Sequence, residues 1–393
     1  MKDCQEAIEN TKISAVIPLY NAEKYIIETL NSLLAQTYVV DEILVVDDCG
    51  TDQSAAIVEK YSMLHPVVRL IRQSHNQGGS ATRNRGLAEA RNDWVLMMDA
   101  DDTIHPDLLK LQVEQLHRYM EIEPQPVCVH PAYVQTDENG NVLDNSEYRG
   151  QQLSYEETFG SLLVRNYIIT PSGLLLNRST ALKIGGYKTN FFVSEDAEFI
   201  LRLSREGTFV YVDEPYVYFR RHEMSITSDL KKASQAGKAI LDIYSIEEVK
   251  EAIFRRNFTK ERNTIDFVTL LYQFNCYDEG FSYLKSINNG EFELSKYFLS
   301  GIYYIEKNEK NLAQQMFEKL LSIHPTHGAA LNNLGVLLAL HGEKRRADVL
   351  FQEAIAQHPG YMDAAHNLVE LKSDFPSFRF TMRELRENLL RYK

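Results

Sequence analysis

Cysteine is scarce in this chain. Its four cysteines, Cys4, Cys49, Cys128 and Cys276, are scattered and form no CxxC pair, which argues against a paired-cysteine zinc site and a disulfide framework. Reduced thiols in a cytoplasmic protein are the expectation. Long apolar runs are also lacking: none reaches the roughly 20 residues that a membrane-spanning helix needs. The charged stretch Met1–Lys12 has no apolar core of the secretory kind. Basic residues are outnumbered, 42 against 55 acidic ones, for a net charge of −13. That balance argues against a general nucleic-acid-binding surface, which needs concentrated Lys and Arg. It leans toward a divalent cation if the ligand is an anion, because something must offset the repulsion.

What remains is ordinary globular composition, 44% hydrophobic and 25% charged over 393 residues, enough for two or three domains. Short β-rich runs at Ile13–Ile17, Ile43–Val46, Val67–Ile71 and Trp94–Met98 alternate with helical patterns at Ala22–Gln36, Ser54–Tyr61 and Ser80–Ala90. Such alternation predicts an α/β domain with a mostly parallel, Rossmann-like sheet, whose ligands sit at the carboxyl ends of the strands. Those ends carry Pro18–Asn21, Asp47–Asp48, Gln73–Gln77 and Asp99–Asp102. After a hairpin turn at Asn139-Gly140 the alternation fades, and Phe209–Phe219 reads as a further strand. The expected boundaries are 1–229 for this domain, 230–290 for a helical linker, and 291–393 for an all-α region.

The all-α region repeats itself. Gly301, Ala313, Phe317 and Pro325 recur 34 residues later as Gly335, Ala347, Phe351 and Pro359. That offset and those residue types resemble the tetratricopeptide repeat, in which paired helices pack through small residues. Asp363–Leu371 reads as a closing helix. Phe267–Ile287 reads as a degenerate repeat, with Glu279 in the small-residue slot.

The sharpest chemical signal is the apolar strand ending in Asp99, Asp101 and Asp102. Three carboxylates within four residues repel one another unless they share a cation, and a hard divalent ion would relieve this and bridge a diphosphate. A helix N-cap at Asp102 or Asp107 would account for one carboxylate and leave the others unexplained. The same stretch resembles the first motif of haloacid-dehalogenase-type phosphatases, but there the motif ends the first strand, and here three strand–helix units precede it.

Six motifs in order resemble the family 2 glycosyltransferases of GT-A fold: Ala15–Asn21, Val45–Asp52 (Cys49-Gly50 where the family usually has Gly-Ser), Asn76–Gly86, Asp99–Asp102, Ser194–Asp196, and Arg220–Thr227. The resemblance implies that Pro18 and Tyr20 frame the base of a UDP-sugar and that Asp48 accepts from the uracil imide N–H. It implies that Asp99 and Asp101 line the donor, that Arg83 either reaches its phosphates or fixes the loop, and that Mg²⁺ or Mn²⁺ is held by Asp101, Asp102 and His222, with contact to the diphosphate the other role open to His222. Asp196 is then the general base of an inverting transfer. A purely structural alternative for Asp47 and Asp48 is a turn or N-cap pair, and for Glu195 and Asp196 a favourable place in the first turn of a helix. Arg220 or Arg221 is expected near phosphate oxygens. The repeats suggest a protein or peptide acceptor; the alternatives are a glycan acceptor with the repeats forming a homodimer, or a non-catalytic interaction protein.

Overall fold

The computed structural model describes residues 10–168, 170–191, 194–222, 239–287 and 290–385. The chain falls into two compact units, Met1–Ile243 and Tyr244–Lys393. The expected boundary at 229/230 lies outside the described residues, as do Ser225 and Thr227 of the last motif.

In the first unit the strands are β1 (Ile13–Leu19), β2 (Glu42–Asp47), β3 (Val68–Arg72), β4 (Trp94–Met97), β5 (Thr103–Ile104), β6 (Pro126–Thr136), β7 (Val142–Tyr148), β8 (Leu174–Asn177) and β9 (Thr208–Arg220). They form one sheet in the order β3-β2-β1-β4-β8-β6-β9-β5, with β7 added to β6. The first four strands are parallel neighbours. Their intervening helices are α1 (Ile26–Leu34), α2 (Ser54–Leu64) and α3 (Gly79–Glu89). Beyond β4 the sheet turns mixed: β8 is antiparallel to both β4 and β6, β5 to β9 and β7 to β6, while β6 and β9 run parallel. The expected mostly parallel sheet therefore describes only its first half.

The central strand β6 escaped the sequence reading because Pro131 lies within it, and proline cannot donate to a sheet ladder. The structure resolves the conflict locally. On one side β8 pairs with Cys128 and Val129, and pairing with β7 begins at Tyr133, so Pro131 falls in the gap between them. On the other side the register with β9 shifts between Pro131 and Tyr133.

The first unit's core is the buried face of these strands packed on apolar helix stripes; α1, for example, contributes Ile26, Leu30 and Leu33. Helix α3 lies so close to β1 that a Cβ on Gly86 would stand 2.2 Å from Val16 Cγ1. This contact presses the later part of α3 onto the middle of β1. The unit's remaining helices are α4 (Leu108–Tyr119), α5 (Tyr155–Val164), α6 (Arg178–Lys183) and α7 (Glu195–Leu203).

The second unit is helical: α8 (Ile246–Phe254), α9 (Lys260–Gln273), α10 (Tyr277–Lys285), α11 (Glu293–Glu306), α12 (Lys310–Ile323), α13 (Gly328–Leu340), α14 (Lys344–Gln357) and α15 (Met362–Glu370). The 34-residue sequence repeat is a repeat of packing. A Cβ on Gly301 would meet the Phe317 ring at 2.5 Å, and one on Gly335 the Phe351 ring at 2.6 Å. In the pair α9/α10 the close approach is made by Gly280 against Tyr272, at 2.6 Å, one residue after the slot held by Glu279.

Candidate active site

The residues singled out from sequence gather at the carboxyl end of the parallel strands. Pro18 is half-buried in β1, and Tyr20, just after it, is 52% exposed. Asn21 follows with φ +50°, a turn that lets its Oδ1 accept from Thr51 N at 2.7 Å and tie the end of β1 to the end of β2. Cys49 also adopts a left-handed backbone, φ +58°, which explains why glycine is the residue expected at that position.

Asp48 is buried and gathers the loop ahead of α3. Its Oδ1 accepts from Gln77 N and Gln73 Nε2, each at 2.7 Å, and its Oδ2 from Gly78 N at 2.8 Å. Gly78, at φ +84°, makes the turn that aims these amides at the carboxylate.

Arg83 projects from α3 into the middle of the acidic motifs. One guanidinium nitrogen donates to Asp99 Oδ1 at 2.8 Å and the other to Glu195 Oε1 at 2.9 Å. Its guanidinium also lies 5.6 Å from the centre of the buried Tyr187 ring, which stacks on Phe199. Burial pulls the guanidinium toward neutrality, but Asp99, Tyr187 and Glu195 more than offset this, so its pKa moves upward. Burial raises Asp99 despite the arginine beside it.

The three aspartates after β4 diverge. Asp101 faces His222, with Oδ2 and Nε2 2.8 Å apart, and His222 stacks on Tyr25 with ring centres 5.2 Å apart. Asp102 is fully buried, and both of its oxygens are engaged inside the protein: Oδ2 accepts from Ser172 Oγ at 2.5 Å and Oδ1 from Arg220 N at 2.9 Å. Burial, then the charges of Asp101 and Asp99, push Asp102 well above the usual carboxylate range. Ser172 also accepts from Asp99 N at 2.9 Å, so one hydroxyl braces two of the three aspartates.

Arg220, 4% exposed, is spent on structure. It donates to Asp101 O at 2.8 Å, Glu138 O at 2.7 Å and Glu28 Oε2 at 2.5 Å, and covers the Tyr25 ring. Ser172, Tyr25, Glu28 and Glu138 were not singled out from sequence, because each reaches the site only through tertiary contacts.

Asp196 opens α7 beside Glu195. The residue before the helix, Ser194, has φ +64°, a costly backbone for a residue with a side chain. Asp196 Oδ1 accepts from Ala197 N at 2.8 Å. Burial and then the neighbouring Glu195 push Asp196 up to about 7.

Residues 14–181 match the family model described as glycosyl transferase family 2. The protein is a glycosyltransferase, and over that stretch it resembles family 2. This glycosyltransferase is 29% identical over 251 residues to an uncharacterized glycosyltransferase of Haemophilus influenzae, covering 63% of this chain and 80% of that one. It is 26% identical over 224 residues to the putative teichuronic acid biosynthesis glycosyltransferase TuaG of Bacillus subtilis, covering 57% of this chain and 84% of that one. Among solved structures it resembles Staphylococcus aureus TarS 1–349 in complex with UDP-GlcNAc, with a TM-score of 0.51 and 17% identity over 88% of this chain and 90% of that one. That likeness extends the fold correspondence beyond the matched stretch. In this transferase Glu195, Asp196 and His222 lie outside the stretch that the family model covers.

Among the described residues, no three or more His, Cys, Asp or Glu side chains are arranged to hold a metal ion, and no helix is long and apolar enough to cross a membrane. Asp101 and His222 together offer one oxygen and one nitrogen donor. That set fits a Mg²⁺ or Mn²⁺ ion that takes its other ligands from water and substrate phosphates.

Proposed function

We propose that the chain transfers a sugar from a UDP-sugar to a hydroxyl of a cell-wall or capsule glycan, with inversion at the anomeric carbon. One observation carries this reading: Asp196, its pKa pushed up to about 7 by burial and Glu195, adjoins that same Glu195, which Arg83 bridges to Asp99. A carboxylate at that pKa accepts a proton at neutral pH and gives it up again, as a general base must.

The donor's base is framed by the exposed Tyr20 ring and by Pro18. Asp48 Oδ2, with one N–H bonded to it, keeps a lone pair for the uracil imide. Asp101 and His222 are the residues that would hold Mg²⁺ or Mn²⁺. When bound, such an ion neutralises charge on the departing diphosphate. Asp102 braces the turn that presents Asp101, through Ser172 and Arg220. Arg83 fixes Asp99 and Glu195, and so orients the start of α7, where Asp196 takes the acceptor's proton.

A glycan acceptor is supported by the teichuronic acid role in the name of TuaG. The second reading, a protein or peptide acceptor, is supported by the 34-residue helical repeats, which are of tetratricopeptide kind; a dimer contact is another use of those helices. The test is UDP release from a panel of UDP-sugars with glycan or peptide acceptors, with and without divalent cation. Turnover of none of them would refute the donor assignment, and transfer confined to peptides would replace the glycan reading with the second.

A further inference from the structure

Asn333 and Asn367 stand 34 residues apart, at the same place in successive repeats, one on α13 and the other on α15. Both are fully buried, and each carboxamide bonds both the N–H and the carbonyl of one residue of the segment that follows α15 while also bonding the Asn332 side chain. Asn367 accepts from Arg379 N at 2.7 Å and donates to Arg379 O at 2.8 Å. Asn333 accepts from Thr381 N at 2.7 Å and donates to Thr381 O at 2.8 Å. Each carboxamide treats its residue as the facing residue of a neighbouring β-strand would. Ser377 is held in the same manner, its carbonyl 2.8 Å from His366 Nε2 and its N–H 2.6 Å from Glu370 Oε2. The gripped residues are therefore 377, 379 and 381, the period of two that extended backbone presents.

The intervening side chains, Phe378, Phe380 and Met382, pack half-buried against the unit's apolar core. Thr381 alone is read through its side chain. Its buried hydroxyl accepts from Asn332 Nδ2 at 3.1 Å, donates to Asp363 Oδ2 at 2.8 Å, and is bonded to Tyr361 Oη.

Buried asparagines are costly in a helix pair unless every donor and acceptor is met. Three of them, Asn332, Asn333 and Asn367, lie on this face at 0% exposure, and they meet the main chain of Arg379 and Thr381, the Thr381 hydroxyl and one another. Apolar residues would close two helices more cheaply. A row of carboxamides at repeat spacing suits a backbone of almost any sequence, with one position reserved for a hydroxyl.

We propose that this face is a binding site for an extended polypeptide, occupied in cis by residues 377–382. A partner segment with Ser or Thr between apolar residues competes for it. The inference rests on the helical unit alone and is independent of the donor and acceptor assigned above.

The test uses a fluorescent peptide with the sequence of residues 375–385. In the full wild-type chain the cis segment competes at an effective concentration of about millimolar, so the labelled peptide binds weakly. Thr381→Pro in the full chain removes an N–H and the hydroxyl from the cis segment, and peptide affinity should rise at least about tenfold. Adding Asn333→Leu should abolish the gain. In the peptide, Ala or an N-methylated residue at the Thr381 position should cost at least about tenfold, while Ser should bind like Thr. No gain from Thr381→Pro, or binding indifferent to Asn333 and the hydroxyl, would overturn the proposal. Should the variants fail to fold, hydrogen exchange in the wild-type chain decides: saturating peptide should speed exchange at the Arg379 and Thr381 amides, and unchanged exchange would make the segment a fixed cap.

Discussion

Arg83 and Glu195 meet at 2.9 Å across 112 residues of chain, and the same guanidinium holds Asp99 at 2.8 Å. One cation thus joins the end of β4 to the start of α7. Replacing Arg83 with Met leaves two partly buried carboxylates without their counter-charge. The expected loss is on the order of 3 kcal/mol of stability, read by urea unfolding. Arg83→Lys keeps the charge but not the fork, so it should recover stability better than it recovers transfer. Equal recovery of both would leave Arg83 a purely structural residue.

Asp196 gives the pH dependence. With its pKa pushed up to about 7, turnover at saturating donor should climb with pH up to that value and then level. Asp196→Asn should lower turnover about 10²- to 10⁴-fold and flatten the profile while donor affinity is retained. A variant that keeps the wild-type profile has its base elsewhere. Stability moves in the opposite direction. A folded pKa above the unfolded value, roughly 3.9, contributes stability that is full below pH 4 and lost as pH rises through about 7. Wild-type Tm should therefore fall more between pH 5 and 8 than that of Asp196→Asn.

Asp101 and His222 are the pair to test for cation dependence. After chelation, UDP release should return on titration with Mn²⁺ or Mg²⁺. Asp101→Asn or His222→Ala should shift the half-activating concentration upward at least about tenfold, by analogy with altered metal shells. Ser172→Ala should lower activity by loosening Asp102 and the Asp99 amide, with less effect on that midpoint. Full turnover in chelator would remove the cation from the reaction.

Two glycines set close helix contacts in separate units. Gly86→Ala puts a methyl 2.2 Å from Val16 Cγ1, and Gly335→Ala puts one 2.6 Å from the Phe351 ring. Each should cost about 1–3 kcal/mol. Combining Gly335→Ala with Phe351→Leu should recover part of the loss in a thermal melt, since the smaller side chain makes room. No recovery would show that the clash is not the cause.

The parallel half of the sheet was legible in sequence because each strand is a short apolar run closed by polar residues, and the site residues lie at those closures. The helical repeat was legible because one offset relates glycine to phenylalanine twice. β6 was not, since Pro131 hides a central strand that leaves that residue unpaired on the β7/β8 side and shifts register beside it on the β9 side.

Sequence by itself determined where the polar groups lie: the ends of β1, β2 and β4 and the start of α7 carry them in contiguous motifs, and parallel strands joined by helices bring the first three to one edge. Tertiary structure decided what each does there. Adjacent in sequence, Asp101 faces His222 while Asp102 is buried against Ser172 and Arg220, because successive residues leaving a strand point in different directions and meet partners 70 or more positions away. It also decided the fate of the buried asparagines of the helical unit. Their spacing was present in the chain all along, but a carboxamide's partner is set by whatever backbone folds against it, and here that backbone is the chain's own segment after α15.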